Sequence, residues 1–169
     1  MSPFSKLVIL DNNCISNFYL AGSLESVLIL WPFKVFVVPQ RVVKEAGNWR
    51  EHGEAVCRIL HSLSAKGIIE IVAINEESEE ETGAYALLRL NAWSLGQGES
   101  ESIAMASHRG YIVATDDRLA TECCRKIFPS VEVVTTGDIL KMGKSDGLLK
   151  ESQIEKMWKL IKQKRAKRG

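Results

Sequence analysis

An α/β fold, with a parallel sheet of four to five strands and helices on both faces, is predicted on three observations. Residues 7–10 and 35–38 are apolar throughout, as in strands buried on both sides. Each run is followed by a stretch with helical spacing, and the alternation continues along the chain. The 169 residues, 46% hydrophobic and 25% charged, have the size and make-up of one globular domain. A chain of this length buries a core without staples, and its composition excludes disordered, collagen-like and disulfide-scaffold classes.

Leu7-Val-Ile-Leu10 is the first strand. Asp11-Asn-Asn13 breaks it and starts a helix through Ile15, Phe18 and Leu20 that ends near Gly22. A short helical stretch from Ser23 stops at Pro32, and residues 35–38 form the second strand, closed by Pro39. Residues 40–49 predict a helix with Val42, Val43, Ala46 and Trp49 on its apolar side. A helix over 54–65 and a third strand over 68–74 follow. Asn75 can cap the next helix, placing Glu76, Glu77, Glu79, Glu80 and Glu81 near the positive end of its dipole. That helix runs on through Leu88 and Trp93. Leu95-Gly-Gln-Gly98 predicts a turn, and 99–109 a helix rich in small residues. Then come a strand at 111–114, a helix at 117–128, a strand at 131–134, a short helix at 136–142 and a last helix at 152–164.

Residues 1–142 are expected to form the main domain, and 143–169 a hinge (143–151) and basic C-terminal helix. The net charge is +1, from 22 basic and 21 acidic residues, but it is uneven. Residues 156–169 hold seven basic side chains, Lys156, Lys159, Lys162, Lys164, Arg165, Lys167 and Arg168, and no acid. The remainder, 15 basic against 21 acidic, carries −6. Such a tail suits contact with nucleic acid, contact with an acidic partner, or solubility alone. Cys14, Cys57, Cys123 and Cys124 show no C-x-x-C pair, as in a cytoplasmic protein with reduced thiols. The apolar run at 7–10 is too short for a secretory signal, and 24–38 is interrupted by Glu25, Pro32 and Lys34, so no membrane association is expected.

Ligands of open α/β sheets bind beyond the carboxyl ends of the strands. Acids recur there: Asp11 after the first strand, Glu45 after the second, Glu99 and Glu101 after the Gly-x-Gly turn, and Asp116 and Asp117 after the fourth strand. Carboxylates brought together repel and rise in pKa unless a cation neutralises them. All-oxygen ligation favours Mg²⁺ or Mn²⁺ over zinc, and such ions serve phosphodiester hydrolysis. Each acid also has a simpler role. Asp11 and Asp117 suit helix caps, Glu99 suits a first helical turn, and Glu45 suits a solvated rim. On one helix Glu99 and Glu101 point about 200° apart. Glu99 shares its face with Ile103 and Ala106 and is expected to be the inward acid. Glu101, on the face of Met105 and His108, is expected close behind or outside.

The ordered set resembles the PIN-domain nucleases, in particular their VapC-like branch. Leu10-Asp-Asn-Asn-Cys-Ile-Ser16 is similar to the opening Asp-x-Asn motif, and Val38-Pro-Gln-Arg-Val-Val-Lys-Glu45 to the second. Leu95-Gly-Gln-Gly-Glu-Ser-Glu-Ser-Ile-Ala-Met-Ala106 resembles a Gly-Glu-x-Glu form of the third, and Ile112-Val-Ala-Thr-Asp-Asp-Arg118 the Thr-x-Asp of the fourth. The resemblance implies a PIN-like (flavodoxin-like) three-layer α/β/α sandwich. It implies Asp11, Glu45, Glu99 and Asp117 as metal-binding catalytic acids, with Asp116 and Glu101 as further candidate ligands. Asn13 and Thr115 would orient the site. It further implies Mg²⁺- or Mn²⁺-dependent cleavage of single-stranded RNA to 5′-phosphate and 3′-hydroxyl ends, a homodimer, and an antitoxin partner. Two positions depart from the family pattern: Asn12 replaces the frequent Thr or Ser, and Glu99 stands where many members have Asp.

Other chemistries find less support. Cys57 and His61, with His52, have helical metal-site spacing but read better as structural residues. There is no Gly-x-Ser-x-Gly and no phosphate-binding Walker loop. The Asp-x-Asp of a haloacid-dehalogenase-like phosphatase and the paired acids of a receiver domain are also missing after the first strand. Trp31, Trp49, Trp93 and Trp158 read as core or interface. Lys44, Arg89, Arg118, Lys164 and Arg165 could meet phosphates, although surface charge is the simpler reading. The alternative function is a PIN-like RNA- or protein-binding module with little catalysis, in which the basic tail does the main work.

Overall fold

The computed structural model describes residues 4–90 and 94–167, so Trp93 and Arg168 lie outside the described residues. The strands are β1 (Val8–Leu10), β2 (Phe36–Pro39), β3 (Glu70–Val72), β4 (Ile112–Ala114) and β5 (Val133–Val134). They form one all-parallel sheet in the order β3-β2-β1-β4-β5. The described helices are α1 (Asn12–Leu20), α2 (Leu24–Leu28), α3 (Gln40–Gly47), α4 (Gly53–Ala65), α5 (Glu79–Leu90), α6 (Gln97–Arg109), α7 (Arg118–Ile127), α8 (Thr136–Ser145) and α9 (Glu151–Ala166).

Successive strand side chains go to opposite faces. Val8, Leu10, Phe36, Val38, Ile112 and Ala114 meet Phe18, Leu60, Ile139 and Ile161 of α1, α4, α8 and α9. Ile9, Val37 and Val113 meet Leu88 of α5, Ile103 and Met105 of α6, and Cys124 of α7. This is the predicted α/β/α sandwich. Both faces are covered, which is why the central strands are apolar throughout: Val8, Ile9 and Leu10 are all fully buried. Burial of each such side chain contributes roughly 1.5–3 kcal/mol.

The strand order reverses at β1, which lies between β2 and β4. The carboxyl ends of β1 and β4 at that reversal are where open α/β sheets bind ligands. The register pairs Leu10 with Ala114, so Asp11 and Thr115 leave the sheet side by side.

Several boundaries differ from the sequence prediction. The third and fifth strands contract to Glu70–Val72 and Val133–Val134, which pair at the two edges of the sheet. α5 starts at Glu79 rather than after Asn75. The Asn75 Oδ1 accepts from the Glu77 amide in a local turn (3.1 Å), and the Ser78 hydroxyl takes the capping role for the Glu81 amide (3.2 Å). Glu76 and Glu77 therefore precede the helix. Gln97 and Gly98, expected in a turn, open α6.

The predicted division at 142/143 falls inside α8. The expected hinge comprises the end of α8, a turn through Gly147 (φ +73°) and the start of α9. Ile154, Met157 and Ile161 bring α9 into the same core as α1, so the basic helix is a packed element of the sandwich.

Candidate active site

Asp11 is only 3% exposed and sits at the carboxyl end of β1, where the strand order reverses. Its Oδ1 accepts from the Asn12 amide (2.7 Å), capping α1. Its Oδ2 accepts from the Thr115 hydroxyl (2.9 Å) and the Asn13 side-chain amide (3.1 Å). The Thr115 oxygen in turn accepts from the Asp117 amide (3.1 Å) and from Asn13 Nδ2 (3.2 Å). Asn13 Oδ1 accepts from the Asp116 amide (3.0 Å). Asn13 and Thr115, read from the sequence as orienting groups, thus make direct hydrogen bonds to Asp11 and to the loop after β4.

Glu45 arrives from α3, whose Val42, Val43 and Ala46 pack inward. Its Oε1 accepts from the Gly98 amide (3.0 Å) in the first turn of α6. Glu99 Oε2 accepts from the Gly96 amide (2.9 Å), and Asp117 Oδ1 accepts from the Ala120 amide (3.0 Å) at the start of α7. The capping roles weighed for Asp11, Glu99 and Asp117 are therefore real.

These acids also act on one another. Burial, then Glu99 and more weakly Glu45, push the Asp11 carboxyl up from 3.8 to about 7, against its hydrogen bonds from Thr115 and Asn12. Burial raises Glu99 as well, with Asp117 and Glu45 adding to the rise and the Gly96 amide opposing it. Asp11, Glu45, Glu99 and Asp117 thus share one region of negative potential.

Glu101 and Asp116 face elsewhere. Glu101, expected close behind Glu99 or outside, is 8% exposed, because α6 is buried on nearly every side from Ser100 to Ala106. It pairs with Arg41 Nε (3.4 Å) in a separate cavity. Asp116 receives the Thr136 amide (2.8 Å), the Asn17 side-chain amide (2.6 Å) and the Thr136 hydroxyl, tying the loop after β4 to α1 and α8.

The basic candidates are also placed. Arg118 pairs with Glu122 on the surface of α7, and Lys164 is exposed on α9. Lys44 lines the Glu101 cavity. Arg165 donates from Nε to Asn17 Oδ1 (2.9 Å) and from Nη2 to Ser16 Oγ (3.2 Å). Cys57 donates to the Val43 carbonyl (3.4 Å), and His52 packs on Tyr19 and Trp49 with ring centroids 5.1 and 5.9 Å away.

Two contributors escaped the sequence reading. Gly98 is one: a Cβ there would lie 2.6 Å from Glu45 Oε2, so only glycine admits the carboxylate to the amide. Its signal was a second glycine at a helix start, where one suffices for a turn. Asn17 is the other, and its only signal was its place one turn after Asn13 on the same helix face.

Among the described residues, no three His, Cys, Asp or Glu side chains are already closed around a metal-sized gap. Glu45 and Glu99 rest instead on the amides of Gly98 and Gly96. The donor chemistry nevertheless fits a hard dication: the clustered groups are carboxylates, and their mutual repulsion is what positive charge would relieve.

A family model described as PIN domain matches residues 7–166. Among solved structures, the chain is similar to a toxin–antitoxin complex from Klebsiella pneumoniae, with 18% identity and a TM-score of 0.49, over 76% of this chain and 97% of that one. No curated protein matches.

Proposed function

The chain belongs to the PIN-domain family, and we propose that it is a Mg²⁺- or Mn²⁺-dependent endoribonuclease that hydrolyses single-stranded RNA in the cytoplasm. One observation carries this reading: burial first, then neighbouring acids, push the carboxyl of an aspartate at the strand-order reversal up to about 7, and its hydrogen-bond donors Asn12, Asn13 and Thr115 are all neutral.

Asp11, Glu45, Glu99 and Asp117 would hold the dication. When bound, it supplies Lewis acidity, which acidifies a water and offsets charge on the phosphate. Asp11 provides the deepest charge, fixed in direction by Thr115 and Asn13. Glu45 closes the opposite side from α3, and the Gly98 amide sets its reach. Glu99 and Asp117 complete the negative rim from the first turn of α6 and the start of α7. At neutral pH Asp11 gives up a proton as positive charge enters, so dication affinity rises with pH.

The role of toxin in a toxin–antitoxin pair, and a homodimeric state, extend this reading from the resemblance of the four motifs to the VapC-like branch. The test is cleavage of single-stranded RNA with Mg²⁺ or Mn²⁺, wild type against Asp11→Asn, beside a dication titration followed by melting temperature. Cleavage and dication stabilisation, both lost in Asp11→Asn, are expected. Equal behaviour of the two proteins refutes the proposal. RNA binding that needs residues 156–169 but no dication favours the binding module instead.

A further inference from the structure

We infer that the cavity on the far side of the α3–α6 contact is a subsite for an unpaired guanine of the RNA. The inference rests on the ribonuclease reading for its substrate class. The cavity measures about 570 Å³, ample for a nucleotide, and lies between α3, α4, α6 and the segment after β3. Val43 and Ile74 contribute apolar surface on which a base can lie, while Arg41, Lys44, Glu76 and Glu101 contribute charge, two of each sign.

Its position follows from the helix contact. Glu45 meets Gly98, and one turn away along both helices Arg41 meets Glu101. The two contacts are successive rungs, about 5 Å apart along each axis. A nucleotide seated at the second rung therefore lies beside the acid cluster at the first. Lys44, adjacent to Glu45 in sequence, stands where the sugar-phosphate chain would pass from one to the other.

The chemistry selects the base. Glu101 has a side chain 10% exposed, against 35% for Arg41. Arg41 Nε reaches Glu101 Oε1 in one long contact of 3.4 Å. A carboxylate offers acceptors only. The deeper half of the pair thus presents two adjacent acceptors, and the shallower half presents donors. Guanine's pairing edge is the complement, with N1–H and N2–H beside the O6 acceptor. Adenine offers one donor beside one acceptor. Cytosine offers one donor and two acceptors, so it leaves one Glu101 oxygen without a donor.

The test uses mononucleotides in EDTA, so that it depends on neither dication binding nor cleavage. Binding of 5′-GMP, 5′-IMP, 5′-AMP, 5′-CMP and 5′-UMP to the whole protein is followed by NMR chemical shifts. GMP is expected to bind about tenfold or more tightly than the others, including IMP, which lacks only the N2 amino group. Glu101→Gln, which keeps the side-chain shape, is expected to reduce GMP binding to the AMP level. The IMP comparison needs no variant and decides the matter even where Glu101→Gln perturbs folding. Equal binding of GMP and IMP, tighter binding of CMP, or unchanged GMP binding in Glu101→Gln overturns the subsite. RNA cleavage without guanine discrimination overturns it and leaves the nuclease standing. Guanine discrimination without cleavage upholds it and refutes the nuclease.

Discussion

Asp11 and Glu81 are equally buried, 3% and 2% exposed, yet the fold treats them in opposite ways. Glu81 receives Arg109 through Nε and Nη2, both at 2.8 Å, and the Asn75 amide at 2.9 Å. These bonds, those from Arg109 foremost, hold its carboxyl below the usual range. Asp11 receives only neutral donors, and burial foremost, then Glu99 and more weakly Glu45, lift its carboxyl to about 7. The chain can therefore neutralise a buried carboxylate where the requirement is stability. The uncompensated charge at Asp11 is a property of that one place, and it sits at the strand-order reversal.

Four experiments test the contrast. The largest effect is expected from Asp11→Asn. RNA cleavage should fall at least about a hundredfold, through loss of several kcal/mol of charge stabilisation. In EDTA the same change should stabilise the protein. A folded-state pKa raised from 3.8 to about 7 means that the native state holds the proton more tightly than the unfolded chain. That contribution is full below about pH 4 and is lost as pH rises through about 7. By linkage it is worth on the order of 4 kcal/mol as an upper bound. Urea unfolding at pH 5 and pH 8.5 should show the wild type losing stability relative to Asp11→Asn as pH rises. Excess Mg²⁺ should restore the wild type alone. A gap that does not change with pH would remove the contrast.

Glu81→Gln should do the reverse. It takes the carboxylate from Arg109, which keeps only neutral partners such as the Ala73 carbonyl, and is expected to cost about 3 kcal/mol by urea unfolding, with unchanged dication affinity per folded molecule. A gain in stability would show that the two carboxylates are alike after all.

Gly98→Ala comes next. Its methyl group must displace the Glu45 carboxylate from the helix start. Dication affinity and cleavage should drop about tenfold, comparable to losing a group that orients a ligand. Alanine suits a helix, so stability should stay within about 1 kcal/mol of wild type. Calorimetric dication titration and thermal melts separate the two effects.

Arg165→Ala should have the smallest effect. Arg165 reaches Asp11 indirectly, through Asn17, Asp116 and Asn13 and through Ser16 and Asn13. Its loss should cost about 1 kcal/mol or less in thermal melts and lower cleavage a few-fold, with Arg165→Lys recovering part of it.

The layers and the order of the acids were legible because they rest on local pattern. Val8-Ile-Leu10 is apolar throughout because both faces of β1 are covered, and Asp11 follows it because the chain must leave the sheet there. What was not legible depended on neighbours remote in sequence. Helical periodicity alone left Glu101 either close behind Glu99 or outside, and only the packing of α6 against α3, α5 and the sheet shows that it is buried. Asn75 carried a good capping signal, but Ser78, three residues on, competed for the same helix start and won. Arg165 belonged to a run of basic residues with nothing to set it apart from Lys164. Its partner Asn17 lies 148 positions away. Asp116 and Asp117 are adjacent in sequence, and only α8 shows which of them is taken up by Thr136.

The pairing of β1 with β4 also bears on how the molecule comes into being. Thr115 and Asp11 touch across 104 positions, and everything between them must be looped out before they meet. Such high contact order makes for slow folding, since closure entropy is spent before distant contacts repay it. Intermediates with helices formed but β4 not yet docked would contain every acid and no active centre. In refolding, helical circular dichroism should recover first and dication binding last, making the centre a reporter of completed topology.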